Sequence, residues 1–178
     1  MAEDPGVVVV NLRLLEQASA LIARIPDAAY TAAGPGTRPV GPHFRHIFEH
    51  YSGFLAGLPE RRIDYDARPR EREIETVREA ACDRIRELVG GLTPVTAFVL
   101  DEPVEIRLES GLGDEAEQWS RSTVRRELQF LLSHTIHHFA LIGLLLHQQG
   151  IDPGPDFGVA PSTLRHWREQ VPCAPHPG

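Results

Sequence analysis

The sequence predicts an all-α protein, a four-helix bundle with a small β-hairpin inserted before the last bundle helix. Two observations lead to this prediction. Four segments of bundle length repeat apolar residues at helical spacing, and one later segment alternates apolar and charged residues as a strand does. A chain of 178 residues suits one domain, so we expect a single domain over residues 1–178 with an ordered core over about 8–170.

The first two helices are separated by a linker rich in glycine and proline. Helix one is expected over residues 8–25, because apolar residues recur on one face until Pro26 stops the helix. Helix two is expected to begin near Pro42, since the missing N–H of proline is not needed in a first helical turn. It should end before Pro59, where a polar stretch predicts a loop.

The second half of the chain contains the other two helices and the hairpin. Helix three is expected over residues 70–88, with Gly90 and Gly91 closing it. The alternating segment 104–108 predicts one strand, 111–114 a turn and 115–120 the returning strand.

The longest helix is expected over residues 122–149. Ser122 or Thr123 can cap its start, and Gly150 can end it. A short helix is expected near residues 162–169, and the last residues should be disordered.

Charge and cysteine content exclude several classes of protein. The net charge is −7 and all 18 basic residues are arginine, so we expect no nucleic-acid partner and no lysine-based catalysis. Two cysteines without a CxxC pair indicate a reducing compartment. The N-terminus lacks a convincing secretory signal, and the longest apolar run, residues 139–146, is too short to span a membrane. We therefore expect a cytoplasmic protein without a membrane partner.

Six of the nine histidines fall in two short segments of helices two and four. They are His43, His46 and His50 on the former and His134, His137 and His138 on the latter. His134 and His138 are four residues apart and therefore share a helix face. That face is an otherwise largely apolar stripe that should point to the core, formed by Glu127, Leu131, His134, His138, Leu141, Ile142 and Leu145.

Two interpretations of these histidines follow from spacing alone. Imidazoles on inward faces of two bundle helices are one way in which a bundle builds a metal site. The alternative is a set of hydrogen-bonded core histidines, although burying this many polar rings without a shared partner is costly.

The segments GPHFRHIFEHYSGF and LSHTIHHFALIGLLL resemble the DinB/YfiT-like family. Proteins of that family are four-helix bundles with one histidine on helix two and an HxxxH pair on the last helix. The resemblance implies that His46, His134 and His138 are metal ligands. His50, one turn from His46, is the rival ligand, and His43 and His50 otherwise belong to the pocket or support the ligands.

Glu127 lies two turns before His134 on the same stripe. It is a candidate to accept an N–H from a ligating histidine and so fix its tautomer. The alternative is an exposed first-turn acid favoured by the helix dipole.

Three histidine ligands leave a coordination position for water or substrate, which is typical of catalytic rather than structural sites. The expected cofactor is a divalent ion, zinc or nickel first, with iron or manganese as alternatives. DinB-like relatives include transferases and isomerases that use low-molecular-weight thiols. The resemblance thus implies a metal-dependent thiol or group transferase acting on a small molecule, and the alternative is a non-catalytic metal-binding stress-response or sensor protein.

Two further kinds of partner are considered from the sequence, an anion and a second copy of the chain. Arg68, Arg70 and Arg72 are candidates for an anion-binding patch near the pocket mouth, although a solvated loop of mixed charge explains them more simply. Pairing into a homodimer through a helix face remains open, and the sequence assigns no catalytic side chain.

Overall fold

The computed structural model describes residues 6–34, 37–67, 69–97, 100–108 and 119–170. Its helices are α1 (Gly6–Arg24), α2 (Asp27–Thr31), α3 (Val40–Gly57), α4 (Arg72–Thr76), α5 (Arg78–Leu92), α6 (Val124–Gln148) and α7 (Pro161–Gln170), with a 3₁₀ helix at Thr93–Ala97. Its strands are β1 (Arg62–Asp64), β2 (Pro103–Arg107) and β3 (Ser120–Thr123).

Four helices, α1, α3, α5 and α6, form the predicted bundle. α1 contacts α5 and α6, and α3 contacts the same two helices. In cross-section, α1 and α3 therefore lie at opposite corners of the bundle, and α5 and α6 lie at the other two corners. This arrangement settles the topology that the long first connection left open, and it places α3 directly beside α6.

The third predicted helix differs from the expectation in two ways. It is divided at Val77, whose φ of −118° and ψ of 109° are extended, so that α4 and α5 are separate helices. The expected end at Gly90 and Gly91 is wrong, because α5 continues to Leu92. Gly91 has a packing role instead, since a Cβ there would lie 2.7 Å from Leu55 Cδ1 on α3.

The strand region is a three-stranded sheet in the order β1-β2-β3. The first predicted hairpin strand is confirmed as β2, and it pairs antiparallel with β3, from Pro103 opposite Thr123 to Ile106 opposite Ser120. The returning strand thus lies later than expected, while the predicted turn at 111–114 and residues 115–118 fall outside the described residues. β1, in the stretch predicted as a loop, pairs parallel with β2.

The last bundle helix has the predicted ends. The Thr123 side chain accepts a hydrogen bond from the Arg126 N–H, and Gly150 adopts a φ of 74° after the final turn. The chain then folds back, and the ring of Phe157 stacks on Phe139 at 4.3 Å between centroids. The short helix α7 follows as predicted, and the tail after residue 170 lies outside the described part of the chain.

A buried polar network crosses the otherwise apolar core. The Asn11 amide on α1 donates to the carbonyls of Val7 and Leu128, and its oxygen accepts from the Tyr51 hydroxyl at 2.6 Å. The Thr135 hydroxyl on α6 in turn donates to the Tyr51 oxygen at 3.2 Å. All polar atoms that link α1, α3 and α6 here are thereby satisfied, as buried groups require.

Replacing Asn11 by alanine is expected to lower the free energy of unfolding by about 2–3 kcal/mol, because it leaves buried partners unsatisfied. Urea unfolding followed by circular dichroism measures the change. Glu16→Ala on the exposed face of the same helix is the control. Equal destabilisation by the two variants would contradict the role of the network.

Two described helices, Gly6–Arg24 and Val124–Gln148, are long and apolar enough to cross a membrane by length and composition alone. Both are bundle helices that contact each other and bury one face in the core. Core helices of soluble proteins have the same length and composition, so the fold is compatible with a soluble protein.

Candidate metal centre

The histidines of α3 and α6 meet where these two helices lie side by side. One potential ligand atom from each of His46, His134 and His138 lies within 4.8 Å of the other two. The ring centroids are 4.9 Å apart for His46 and His134, 4.8 Å for His46 and His138, and 4.7 Å for His134 and His138. The structure thus brings together the three residues that the family resemblance implied as ligands.

The stripe predicted for α6 is displaced around the helix. Because α6 packs against both α1 and α3, its buried residues are Val124, Glu127, Leu128, Leu131, Thr135, Phe139, Ile142, Gly143 and Leu146. His134 and His138 lie at the border of this face and are half-buried. His137 is exposed, as its angular position predicted, and His147 and His166 are exposed as well.

The environment of His134 fits a metal ligand. Its Nε2 is buried and has no hydrogen-bond partner among the described residues. A buried polar atom without a partner is costly, and coordination to an ion is one way to satisfy it. Neutral imidazoles are also suitable donors for divalent transition metals.

His43 contacts the ligand candidate His138. Their Nδ1 atoms are 3.1 Å apart, so one ring must donate and the other must accept. If Nε2 of His138 faces an ion, its Nδ1–H donates to Nδ1 of His43, which then bears its own proton on Nε2. His43 therefore has the position of a residue that fixes the tautomer of a ligand.

His50 is buried behind the three histidines. Its Nδ1–H donates to the backbone carbonyl of His46 at 2.8 Å, which leaves Nε2 as the acceptor of the neutral ring. Its ring centroid is 4.2 Å from that of His134 and 4.5 Å from that of His46. His50 thus packs against two of the three rings, while the group whose ligand atoms converge consists of His46, His134 and His138.

Glu127 is buried rather than exposed, so the alternative of an exposed first-turn acid is wrong. The other interpretation, a hydrogen bond from a ligating histidine, is also not what the described hydrogen bonds of Glu127 show. Its two carboxylate oxygens accept hydrogen bonds from the hydroxyls of Tyr65 and Ser122. Tyr65 also stacks on His50, with 5.7 Å between the ring centroids. Glu127 consequently supports the wall of the site through Tyr65, a residue that sequence reasoning placed in a loop and missed.

Burial lowers the pKa of the clustered histidines, and the neighbouring imidazoles add to the effect. The pKa of His134 falls to about 2 through burial and the proximity of His50, His138 and His46. The pKa of His138 falls to about 4 through burial and the proximity of His43. Both rings are therefore neutral at pH 7 and available as ligands.

The metal-free protein is expected to lose stability as the pH falls from about 6.5 towards 4. In the unfolded chain both histidines take up protons near pH 6.5, whereas the folded chain resists their protonation, so acid favours the unfolded state. Urea unfolding at pH 7.5 and 5.5 measures the effect. A double variant with His134→Gln and His138→Gln should show a smaller decrease, and an unchanged decrease would contradict this origin.

A cleft of about 240 Å³ opens onto two of the three histidines. Its lining is Arg38, Pro42, His43, Arg45, His46 and His138. An ion held by His46, His134 and His138 would therefore lie beside space that a small molecule can enter.

The family model of the DinB superfamily matches residues 13–142, which include all of α3 and most of α6 with both histidine clusters. The chain belongs to the DinB superfamily. Among curated proteins, FK506-binding protein 5 of Rhizopus delemar is 32% identical over 108 residues. That segment is 61% of this chain, and it spans 28% of the Rhizopus protein. No solved structure matches significantly.

Membership of the DinB superfamily and the three-histidine group together suit a protein that binds a divalent metal ion. The fold expected from the family resemblance is confirmed. The four-helix core and the antiparallel strand pair before α6 both occur in this DinB protein.

Proposed function

We propose that this DinB protein binds one divalent metal ion through His46, His134 and His138, and that it uses the ion in a thiol-dependent group transfer. The convergence of three imidazoles beside an open cleft carries the proposal. The buried Nε2 of His134, which has no hydrogen-bond partner in the described part of the chain, gives it independent support. Zinc and nickel are the ions proposed first, with iron and manganese as alternatives.

The chain's own residues have distinct tasks in this proposal. His46 comes from α3 and His134 and His138 come from α6, so the site depends on the packing of these two helices. His43 holds the Nδ1 proton of His138 in place and thereby directs the opposite nitrogen towards the ion. When bound, a divalent ion would lower the pKa of a thiol or water in its remaining coordination position.

Metal analysis of protein purified without a histidine tag tests the first half of the proposal. We expect about one equivalent of a divalent ion per chain, since three histidines and an open position form one site. Less than about a tenth of an equivalent, including after incubation with zinc or nickel, would overturn it.

A thermal-shift measurement with matched probes tests the second half. The metal-loaded protein is expected to gain several degrees in Tm with 2-mercaptoethanol, because ligands that bind only the folded state stabilise it. Ethylene glycol, with a hydroxyl in place of the thiol, is the control and should have no effect. A protein that binds metal but responds to no thiol and turns over no electrophile is instead a non-catalytic stress-response or sensor protein.

A further inference from the structure

The cleft beside the histidines is positively charged. The described residues that line the 240 Å³ cleft include two arginines and three histidines, and none of them has a carboxylate. Arg38 lies just before α3, and Arg45 lies one turn into this helix. A second cleft of about 300 Å³ shares Arg38, Arg45 and His46 and adds Glu49, Asp66 and Arg70.

The arginines of these clefts differ in how far their charges are balanced. Arg45 forms ion pairs with Glu49 and Glu75, both at 2.5 Å, and is thereby neutralised. Within the described ranges, no carboxylate lies within ion-pair distance of Arg38 or Arg70. These two guanidinium groups therefore remain available to an external anion at the rim of the clefts. Arg68, which the sequence also offered for an anion-binding patch, lies outside the described residues.

Arg38 lines the same cleft as the histidine site. Arg38 lines both clefts, and the smaller one also exposes His43, His46 and His138. An anion on Arg38 would thus occupy the same cleft as a group that approaches the ion.

We infer that the substrate is a small molecule with a carboxylate, which Arg38 and Arg70 bind while the reactive end of the molecule approaches the site of His46, His134 and His138. Guanidinium groups bind carboxylates through paired, charge-assisted hydrogen bonds. Glu49 and Asp66 line the second cleft, and Glu73 and Glu75 line a third cleft of about 560 Å³ that also contains Arg38 and Arg70. Because these carboxylates repel negative charge, a singly charged carboxylate suits the surroundings better than a doubly charged phosphate. The inference rests on the proposed function and adds the substrate class.

The experiment compares two thiols of the same length and similar shape that differ in charge. 3-Mercaptopropionate has a carboxylate where 3-mercaptopropionamide has a neutral amide. Isothermal titration of the metal-loaded protein is expected to show about tenfold tighter binding of the acid, in line with a charge-assisted hydrogen bond. Arg38→Gln, alone or combined with Arg70→Gln, should remove this preference and leave the metal content and the amide affinity unchanged.

Arg86→Gln is the matched control, because it removes the same charge from the exposed surface of α5 outside both clefts. It should retain the preference for the acid. The inference would be overturned if the unaltered protein bound the two thiols equally, or if the preference survived the double substitution. Neither result would contradict the proposed function. A protein that holds no ion overturns the proposed function, and the inference falls with it, so metal content distinguishes the two failures.

Discussion

Replacing His134 by alanine is expected to abolish stoichiometric metal binding. His134 supplies the buried Nε2 that has no partner in the described part of the protein, and its pKa of about 2 keeps it unprotonated at any ordinary pH. Removal of one of three ligands should reduce metal affinity by more than about 100-fold, since even supporting residues outside the ligand set change affinity by 10–100-fold. Elemental analysis after dialysis measures the loss.

The control for this substitution is His147→Ala. His147 lies on the same helix but is exposed, and its Nδ1 faces the carbonyl of Ile151 rather than the cluster. We expect this variant to keep its ion. The circular dichroism spectrum of the His134→Ala protein should remain helical, because no hydrogen bond of Nε2 is lost. Full metal occupancy of His134→Ala would contradict the ligand assignment and would make His50 the next candidate ligand.

Replacing Gly41 by alanine is expected to destabilise the protein by about 2–3 kcal/mol, because it overpacks a rigid contact. A Cβ at Gly41 would collide with the carbonyl group of Glu75 and would lie 2.8 Å from Tyr30 Cε1. Backbone atoms of α4 cannot move aside as a flexible side chain can. Urea unfolding of the metal-free protein measures the change.

Gly90→Ala is the matched control for this second prediction. Gly90 lies within α5, and a Cβ there meets nothing within 4 Å. Alanine should therefore stabilise the helix by about 0.5–1 kcal/mol. If both glycine variants changed stability in the same direction, the close approach of α3 and α4 would not explain the effect at Gly41.

The helices and the histidine group were predictable because both depend on local periodicity. Residues four apart on a helix share a face, so the spacing of His134 and His138 already placed them together. The family resemblance then selected His46 from among the three histidines of its helix. Helix ends were predictable wherever they depend on local signals, as with the Thr123 cap and Gly150.

The features that the sequence did not predict depend on contacts between distant segments. β1 is a strand only because β2 lies beside it, with the Tyr65 N–H bonded to the Arg107 carbonyl. Glu127 is buried because Tyr65 and Ser122 donate to its carboxylate. The contact between His43 and His138 depends on the relative height of α3 and α6, which no local pattern fixes.

The bond between Tyr51 and Thr135 aligns the two helices at the level of the histidines. Tyr51 follows His50 on α3, and Thr135 follows His134 on α6, so this bond lies one residue from the cluster on each helix. A slide of either helix along its axis would break the bond, and Asn11 resists the movement from the other side. The core thus holds the imidazoles in place before an ion binds. The entropy cost of ordering these side chains belongs to folding, so metal binding does not include it.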